Sequence, residues 1–508
     1  METTRRDFIK AVAAGSIGLA AYASGRSSLF AENEKKPNIL FLMTDQHRAD
    51  CLGCAGNSII KTPSFDRIAR EGAYFQHAYS STPTCIPARA ALLTGQSPWH
   101  HGMIGYGKVA ERYPFEMPRA LNDAGYYTFA IGKLHYSPQR NYHGFQDALL
   151  DESGRVWTPD FISDYRKWFK EQAPDLNPDA TGIGWNDYRS GKYVLPEELH
   201  PTHWTGDRAV EFIEKYNRDE PFMLKVSFAR PHSPYDPPQR FWDMYSDEDM
   251  PAPHVGKWAE EFAECDKNNY TTWHGDLGIK QAKRSRRGYY GSISFIDEQI
   301  GKILNALEKR GMLDNTLILF SVDHGDMMGD HHHWRKSYAY EGSAGIPMLV
   351  RWPDSIKTRR GQTITQPVEL RDVLPTFLDA AGAGIPDCVD GKSLLTLVRG
   401  ETDGWRDYID LEHDICYDKT NHWNALTDGK WKYIYHAFDG GQQLFDLEND
   451  PGEINDLASD PAYKWTLKMW RQRMIEHFAE RGEPFIVNGD LGVRLERMLY
   501  SPDYPGKV

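Results

Sequence analysis

Four short apolar runs constrain the fold most, because each breaks off directly into polar residues able to do chemistry. Residues 38–44 lead to Asp45 and Gln46, and 127–131 lead to Gly132-Lys133-Leu134-His135. Residues 222–228 lead to Arg230-Pro231-His232, and 316–322 to Asp323-His324-Gly325-Asp326. Uninterrupted apolar runs of this length predict strands buried on both faces of a parallel sheet. Helical spacing lies between them, in Ile293, Ile296, Ile300, Ile303, Leu304 and Leu307 with Gly311 as a stop, and in Ala209, Val210, Phe212, Ile213 and Tyr216. The expected class is α/β, a large, mostly parallel sheet sandwiched by helices. Ligands bind such sheets at the carboxyl ends of the strands, where all four polar clusters fall.

Three segments are expected. Arg5-Arg6, then Phe8, Ile9 and Lys10, a weakly apolar stretch and a small-residue cut at Ala31 read as a twin-arginine export signal over residues 1–31. Its partner would be the twin-arginine export machinery, its destination the periplasm or the exterior, and the mature chain would carry no membrane span. Residues 32–398 form the catalytic domain. Residues 399–508 read as a smaller C-terminal domain, with antiparallel strands near 408–412, 423–426 and 431–436, an Asp428-Gly429 hairpin turn and an amphipathic helix at 464–477. Residues 136–205 and 233–288 lack periodicity and hold Trp157, Trp168, Trp185, Trp204, Trp242, Trp258 and Trp273. They read as substrate-shaping loops, or as loops that their tryptophans pack onto the body.

Composition narrows the partners. With 59 basic and 72 acidic residues the net charge is −13, which argues against nucleic acid but leaves room for a local cationic pocket. Six cysteines in 508 residues make no disulfide scaffold, and the single Cys51/Cys54 pair is two ligands short of a zinc site. His47, His100, His101 and the run His331–His333 read as structural.

The string Cys85-Ile86-Pro87-Ala88-Arg89-Ala90-Ala91-Leu92-Leu93-Thr94-Gly95 predicts a helix that starts at Cys85 and stops at Gly95. The helix dipole would favour an anion at Cys85. Position alone leaves two options, a thiolate nucleophile or a small buried residue. The full pattern, C-x-P-x-R-x-x-L-x-T-G, resembles the signature of the type I, formylglycine-dependent sulfatases of the alkaline-phosphatase-like superfamily. The resemblance extends through Asp45, the G-K-L-H string, Pro231-His232, the D-H-G-D string, Lys336 and Leu444–Glu453, most of residues 37–460.

That resemblance implies a set of roles. A maturation enzyme would convert Cys85 to formylglycine, whose hydrate attacks sulfur. Arg89 would hold the hydrate; Asp45, Gln46, Asp323 and His324, with residue 85, would bind a divalent metal, calcium by resemblance, with manganese as an alternative. Lys133 and Lys336 would bind the sulfate, His232 would protonate the leaving oxygen, and His135 would act as the base that releases sulfate. The expected activity is hydrolysis of sulfate esters, with a sulfated carbohydrate as the expected substrate. Gln46 and His324 replace the aspartate and asparagine of many members and resemble phosphonate monoester hydrolases and choline sulfatases. A phosphonate monoester or phosphodiester hydrolase is therefore the alternative enzyme, and a non-catalytic binder of sulfated glycans the alternative outside enzymes.

Overall fold

Strands β1 (Asn38–Asp45), β2 (Ala73–Phe75), β3 (Tyr127–Gly132), β4 (Asp147–Leu150), β5 (Phe222–Pro231), β6 (Thr316–Val322), β7 (Leu349–Arg351) and β8 (Gln362–Ile364) form one sheet in the computed structural model. The structure describes residues 35–506, so the twin-arginine segment lies outside the described residues. Sheet order is β4-β3-β5-β1-β6-β7-β2-β8. The five strands from β4 to β6 run parallel; β7 is antiparallel to both β6 and β2, and β8 is parallel to β2. All four strands expected from the apolar runs are present, and they are neighbours, in the order β3-β5-β1-β6.

Both faces are covered, which is why these strands read as unbroken apolar runs. Helices α1 (Pro63–Arg70), α2 (Cys85–Thr94), α3 (Asp164–Gln172), α4 (Pro201–Lys215), α5 (Ile279–Lys309) and α6 (Val373–Ala380) surround the sheet. Phe320 of β6 packs on Phe65 of α1, with ring centroids 4.3 Å apart, and α5 lies against α1 and α4 on that face. Phe41 of β1 packs on Phe377 of α6 on the opposite face, which α2 shares. A fully buried phenylalanine contributes about 1.5–3 kcal/mol, so these contacts hold the layers together.

Residues 136–205 are more regular than their sequence suggests, since they contain β4, α3 and the start of α4. Short elements with mixed polarity carry too few periods to be recognised. The C-terminal sheet has four strands, β9 (Ile409–Asp414), β10 (His422–Thr427), β11 (Trp431–His436) and β12 (Gly441–Asp446), and the last was missed because Gly441-Gln442-Gln443 dilutes its apolar signal. One face of this sheet, with Leu411, Trp423 and Ile434, packs on Tyr338 and Tyr340 of the body. The other, with Leu426 and Tyr433, packs on Trp470 and Met474 of α7 (Lys464–His477). Among the described residues, 37–506 belong to one compact unit. No helix among the described residues is long and apolar enough to cross a membrane.

Candidate active site

Adjacent parallel strands bring their carboxyl ends together, and here that delivers four polar clusters to one place. β1 ends on Asp45 and Gln46, β3 on Gly132 before Lys133, β5 before His232, and β6 before Asp323 and His324. Gly132 is required where it stands. Its φ is +94°, and an added Cβ would lie 2.1 Å from the carbonyl oxygen of Ser227 on β5. That close approach lets the Lys133 amide donate to the same oxygen at 2.8 Å, which aims Lys133 into the site. Gln46, His135, Arg335 and Ser337 also hold positive φ without being glycine, a local strain typical of functional loops.

Cys85 opens α2 as expected, with Thr84 as N-cap and Gly95 in the left-handed region at the end. Its Sγ lies 3.1 Å from His324 Nε2, 3.1 Å from Lys336 Nζ and 3.9 Å from Asp45 Oδ1. One turn on, Arg89 is 1 % exposed. Its guanidinium donates to Asp323 Oδ2 through Nε (3.1 Å) and Nη2 (2.9 Å) and to the Lys133 carbonyl (2.8 Å), and lies 3.5 Å from Asp45 Oδ2. Lys133 Nζ donates to Asp45 Oδ2. Lys336 Nζ also donates to Gln46 Oε1 (2.9 Å) and faces His232 Nε2 (3.2 Å).

These contacts set the charge states. Burial would raise Asp45, but Lys133, His232 and Arg89 hold its carboxyl well below the usual range. Burial and Asp45 push the Cys85 thiol up, yet Lys336, Lys133 and His324 bring it down to about 7. Burial and then Lys336 hold His232 well below the usual imidazole range. Its Nδ1 donates to the Ser233 carbonyl at 2.9 Å, so the Nε2 lone pair faces Lys336. His324 is oriented the same way, with Nδ1 donating to the Gly325 carbonyl at 2.9 Å and Nε2 turned inward.

The structure thus joins Asp45, Gln46, Cys85, Arg89, Lys133, His232, Asp323, His324 and Lys336 by direct contact. His135 sits at the rim of this group, beside Lys133, with its imidazole stacked on Trp157 at 4.7 Å between centroids and hydrogen-bonded to no protein atom. Donor atoms of Asp45, Cys85, Asp323 and His324, all buried, lie within 4.8 Å of one another. Two carboxylates and an imidazole from two neighbouring strand ends suit a divalent cation. Gln46 adds an amide oxygen turned the same way, because its Nε2 donates to Asp326 Oδ2 at 2.5 Å.

Several supporting residues carried no assigned role in the sequence reading. Asp326 fixes Gln46 and accepts from Tyr235 Oη at 2.6 Å; it closes the D-H-G-D string, and that spacing was its only signal. Glu152 accepts from the backbone amides of Leu134 and His135, both at 2.9 Å, from a loop with no periodic mark. Among the seven loop tryptophans, Trp157 stacks on His135 and Trp185 on Arg155. Trp204 packs against Tyr165, and Trp258 against Tyr340. Cys51 and Cys54 are free, as are the other four cysteines.

The sequence model of the family described as Sulfatase matches residues 37–383. This chain belongs to the sulfatase family. A second model, described as N-sulphoglucosamine sulphohydrolase, C-terminal, matches residues 329–480. An arylsulfatase of Clostridium perfringens is 40% identical over 465 residues, 89% of this chain and 96% of its own. A choline-sulfatase of Rhizobium meliloti is 32% identical over 84% of this chain and 83% of its own. The fold is shared with the phosphonate monoester hydrolase of Agrobacterium radiobacter, with a TM-score of 0.75 at 24% identity over 90% of this chain and 99% of that one. The sulfatase described here is a sulfuric ester hydrolase with an alkaline-phosphatase-like fold.

Proposed function

We propose that this sulfatase is exported by the twin-arginine route and hydrolyses sulfate esters of a carbohydrate, with formylglycine at residue 85 and a bound calcium ion. The observation that carries the reading is the convergence on Cys85 Sγ of Lys336 Nζ and His324 Nε2, each at 3.1 Å, above the buried Arg89–Asp323 pair. A sulfate ester carries negative charge and resists attack, so its non-bridging oxygens need fixed cations and its leaving oxygen needs a proton donor. Lys133 and Lys336 supply the first. The pair of His232 and Lys336, in which the Lys336 ammonium faces the His232 Nε2 lone pair at 3.2 Å, is placed to serve the second.

Formylglycine supplies, as its hydrate, an oxygen nucleophile whose second hydroxyl permits sulfate release without attack by water on sulfur. Arg89 holds residue 85 in place by anchoring the Asp323 and Lys133 segments around it. His135, with both ring nitrogens free of protein partners, is the base for the release step. The metal would be held by Asp45, Gln46, Asp323, His324 and residue 85, and would supply positive charge against the sulfate oxygens. An imidazole and an amide in this set also admit manganese. The aromatic walls Trp157 and Trp185 suit a sugar ring, which favours carbohydrate.

The mass of the tryptic peptide 71–89 from the native host tests the first step. An aldehyde in place of the thiol is expected, together with loss of sulfate-ester turnover in Cys85→Ala; an intact thiol in active protein would overturn the nucleophile. Gln46 and His324 favour a second reading, phosphonate monoester hydrolysis, at the same centre. Turnover of 4-nitrophenyl sulfate beside 4-nitrophenyl phenylphosphonate separates the two, with the sulfate expected to be preferred. Export is checked by fractionation, where replacing Arg5-Arg6 by lysines is expected to retain the protein in the cytoplasm.

A further inference from the structure

The loop after β4 carries an arginine for which hydrolysis of a simple sulfate ester has no use. This loop is held to the site at two points: Glu152 accepts from the amides of Leu134 and His135, and Trp157 stacks on the His135 ring. Arg155 lies between these anchors. Its amide donates to the Glu152 carbonyl (3.0 Å), its own carbonyl accepts from Gln139 Nε2 (2.8 Å), and its guanidinium carbon lies 3.8 Å from the Trp185 ring centroid. The backbone and the plane of the side chain are therefore both fixed.

Arg155 is 4 % exposed, and its Nε and Nη1 are buried without an acceptor in the protein. Among the described residues no carboxylate lies within ion-pair distance of it. Five other buried arginines are paired, Arg48 and Arg286 with Asp330, Arg89 with Asp323, Arg371 with Asp410 and Arg481 with Glu412, while Arg335 and Arg494, which have no carboxylate partner either, donate to the Thr271 carbonyl and to Asn424 Oδ1. Glu152 feels this charge but makes no bond to the guanidinium, and a planar fork held rigid by stacking is suited to receive a carboxylate or sulfate.

Arg155 is not part of the set that grips residue 85. It touches none of Cys85, Asp45 or Lys336, and it runs instead to Trp185, whose ring is 41 % exposed. That places it on the aromatic wall of Trp157 and Trp185, which the carbohydrate reading above gives to the alcohol portion. We propose that Arg155 binds a second anionic group of the substrate, a carboxylate or a further sulfate on the alcohol portion, and so selects sulfate esters that carry two negative charges. The proposal rests on the sulfatase reading above and names the substrate class within it. A quaternary ammonium alcohol would meet a cation at this point and be disfavoured.

The test compares the ortho, meta and para carboxyphenyl sulfates with the matching neutral carboxamidophenyl sulfates and with 4-nitrophenyl sulfate. Formylglycine-bearing wild type and Arg155→Gln are assayed side by side. Wild type is expected to prefer at least one acid over its amide by about 10- to 100-fold in kcat/KM, mainly through KM, the worth of a charge-assisted hydrogen bond. Arg155→Gln is expected to abolish that preference and to leave 4-nitrophenyl sulfate within about threefold. Arg155→Lys should restore part of it. The melting temperature of Arg155→Gln should equal or exceed that of wild type, because this variant removes an unpaired buried charge; a marked drop, or an equal loss on all substrates, would assign Arg155 to the fold or to the reacting sulfate and overturn the proposal. Preference for the amides, or an acid preference that survives in Arg155→Gln, overturns it too. If wild type turns over none of these sulfates while hydrolysing phosphonates, the sulfatase reading itself has failed and this assignment with it.

Discussion

At the scale of single residues, the site works by surrounding one side chain with charges that cannot relax into water. Lys336 Nζ touches Cys85, Gln46 and His232 at once, so the proton beside the leaving oxygen belongs to a lysine–histidine pair. His232→Ala should therefore lower kcat by about 10²–10⁴-fold on alkyl sulfates, whose leaving oxygen needs a proton. On 4-nitrophenyl sulfate, whose phenolate leaves unaided, the loss should be far smaller; equal losses on both would remove His232 as the acid. Arg89 has a different duty, since Asp323 and Asp45 are both buried against it. Arg89→Ala leaves the buried Asp323 carboxylate without its guanidinium partner and should cost about 3–5 kcal/mol, read from the denaturant midpoint. Cys85, Arg89, Lys133 and His232 were legible in sequence because a helix start or a strand end marks each one. Arg155, Glu152 and Asp326 act through loops and second contacts, which leave no period to read.

At the scale of elements, close packing decides which substitutions the scaffold tolerates. Gly132 brings β3 against the Ser227 carbonyl, so Gly132→Ala must push β3 and β5 apart and swing Lys133 away from Asp45. Both stability and kcat/KM should fall, whereas Gly125→Ala, with no atom within 4 Å of the added Cβ but a similar φ of +87°, controls for backbone strain alone. Asp297 of α5 caps α1 from outside, with Oδ1 accepting from the amides of Ser64 and Phe65, both at 2.9 Å. Burial pushes its carboxyl from 3.8 up to about 7, so the folded state holds a proton that the unfolded state has released. Stability from this group is full below about pH 4 and is lost as pH rises to about 7, on the order of a few kcal/mol. Asp297→Asn keeps an acceptor and cannot ionise, and its unfolding free energy measured from pH 4 to 8 should lack this decline. The buried strands were legible as apolar runs, and α7 as an amphipathic stretch. The three-residue strands β2, β7 and β8 were not, because so few residues make no pattern and pairing across the sheet alone defines them.

At the scale of the whole molecule, chain connectivity converts scattered strings into one centre. The order β3-β5-β1-β6 sets side by side residues far apart in the chain, Asn38 against Thr316 among them, an adjacency that apolar runs cannot encode, although their common polar endings point toward it. The acidic donors of the centre come from β1 and from the end of β6, and residue 85 comes from α2, so a bound cation would tie that helix start to two strands already paired in the sheet. Asp45 and Asp323 bring two buried carboxylates to this junction, which the unfolded chain does not assemble. A ligand that binds only the folded state stabilises it by RT ln(1 + [L]/Kd), about 2.7 kcal/mol at a hundredfold excess over Kd. Adding calcium or manganese to chelated protein should therefore raise the melting temperature in step with the logarithm of metal concentration, and should restore turnover over the same range. Asp323→Asn should flatten that dependence while the sheet stays folded, because Arg89 keeps its bonds to the Lys133 carbonyl and its proximity to Asp45. A melting temperature indifferent to either metal across its whole titration would rule out a cation at this junction.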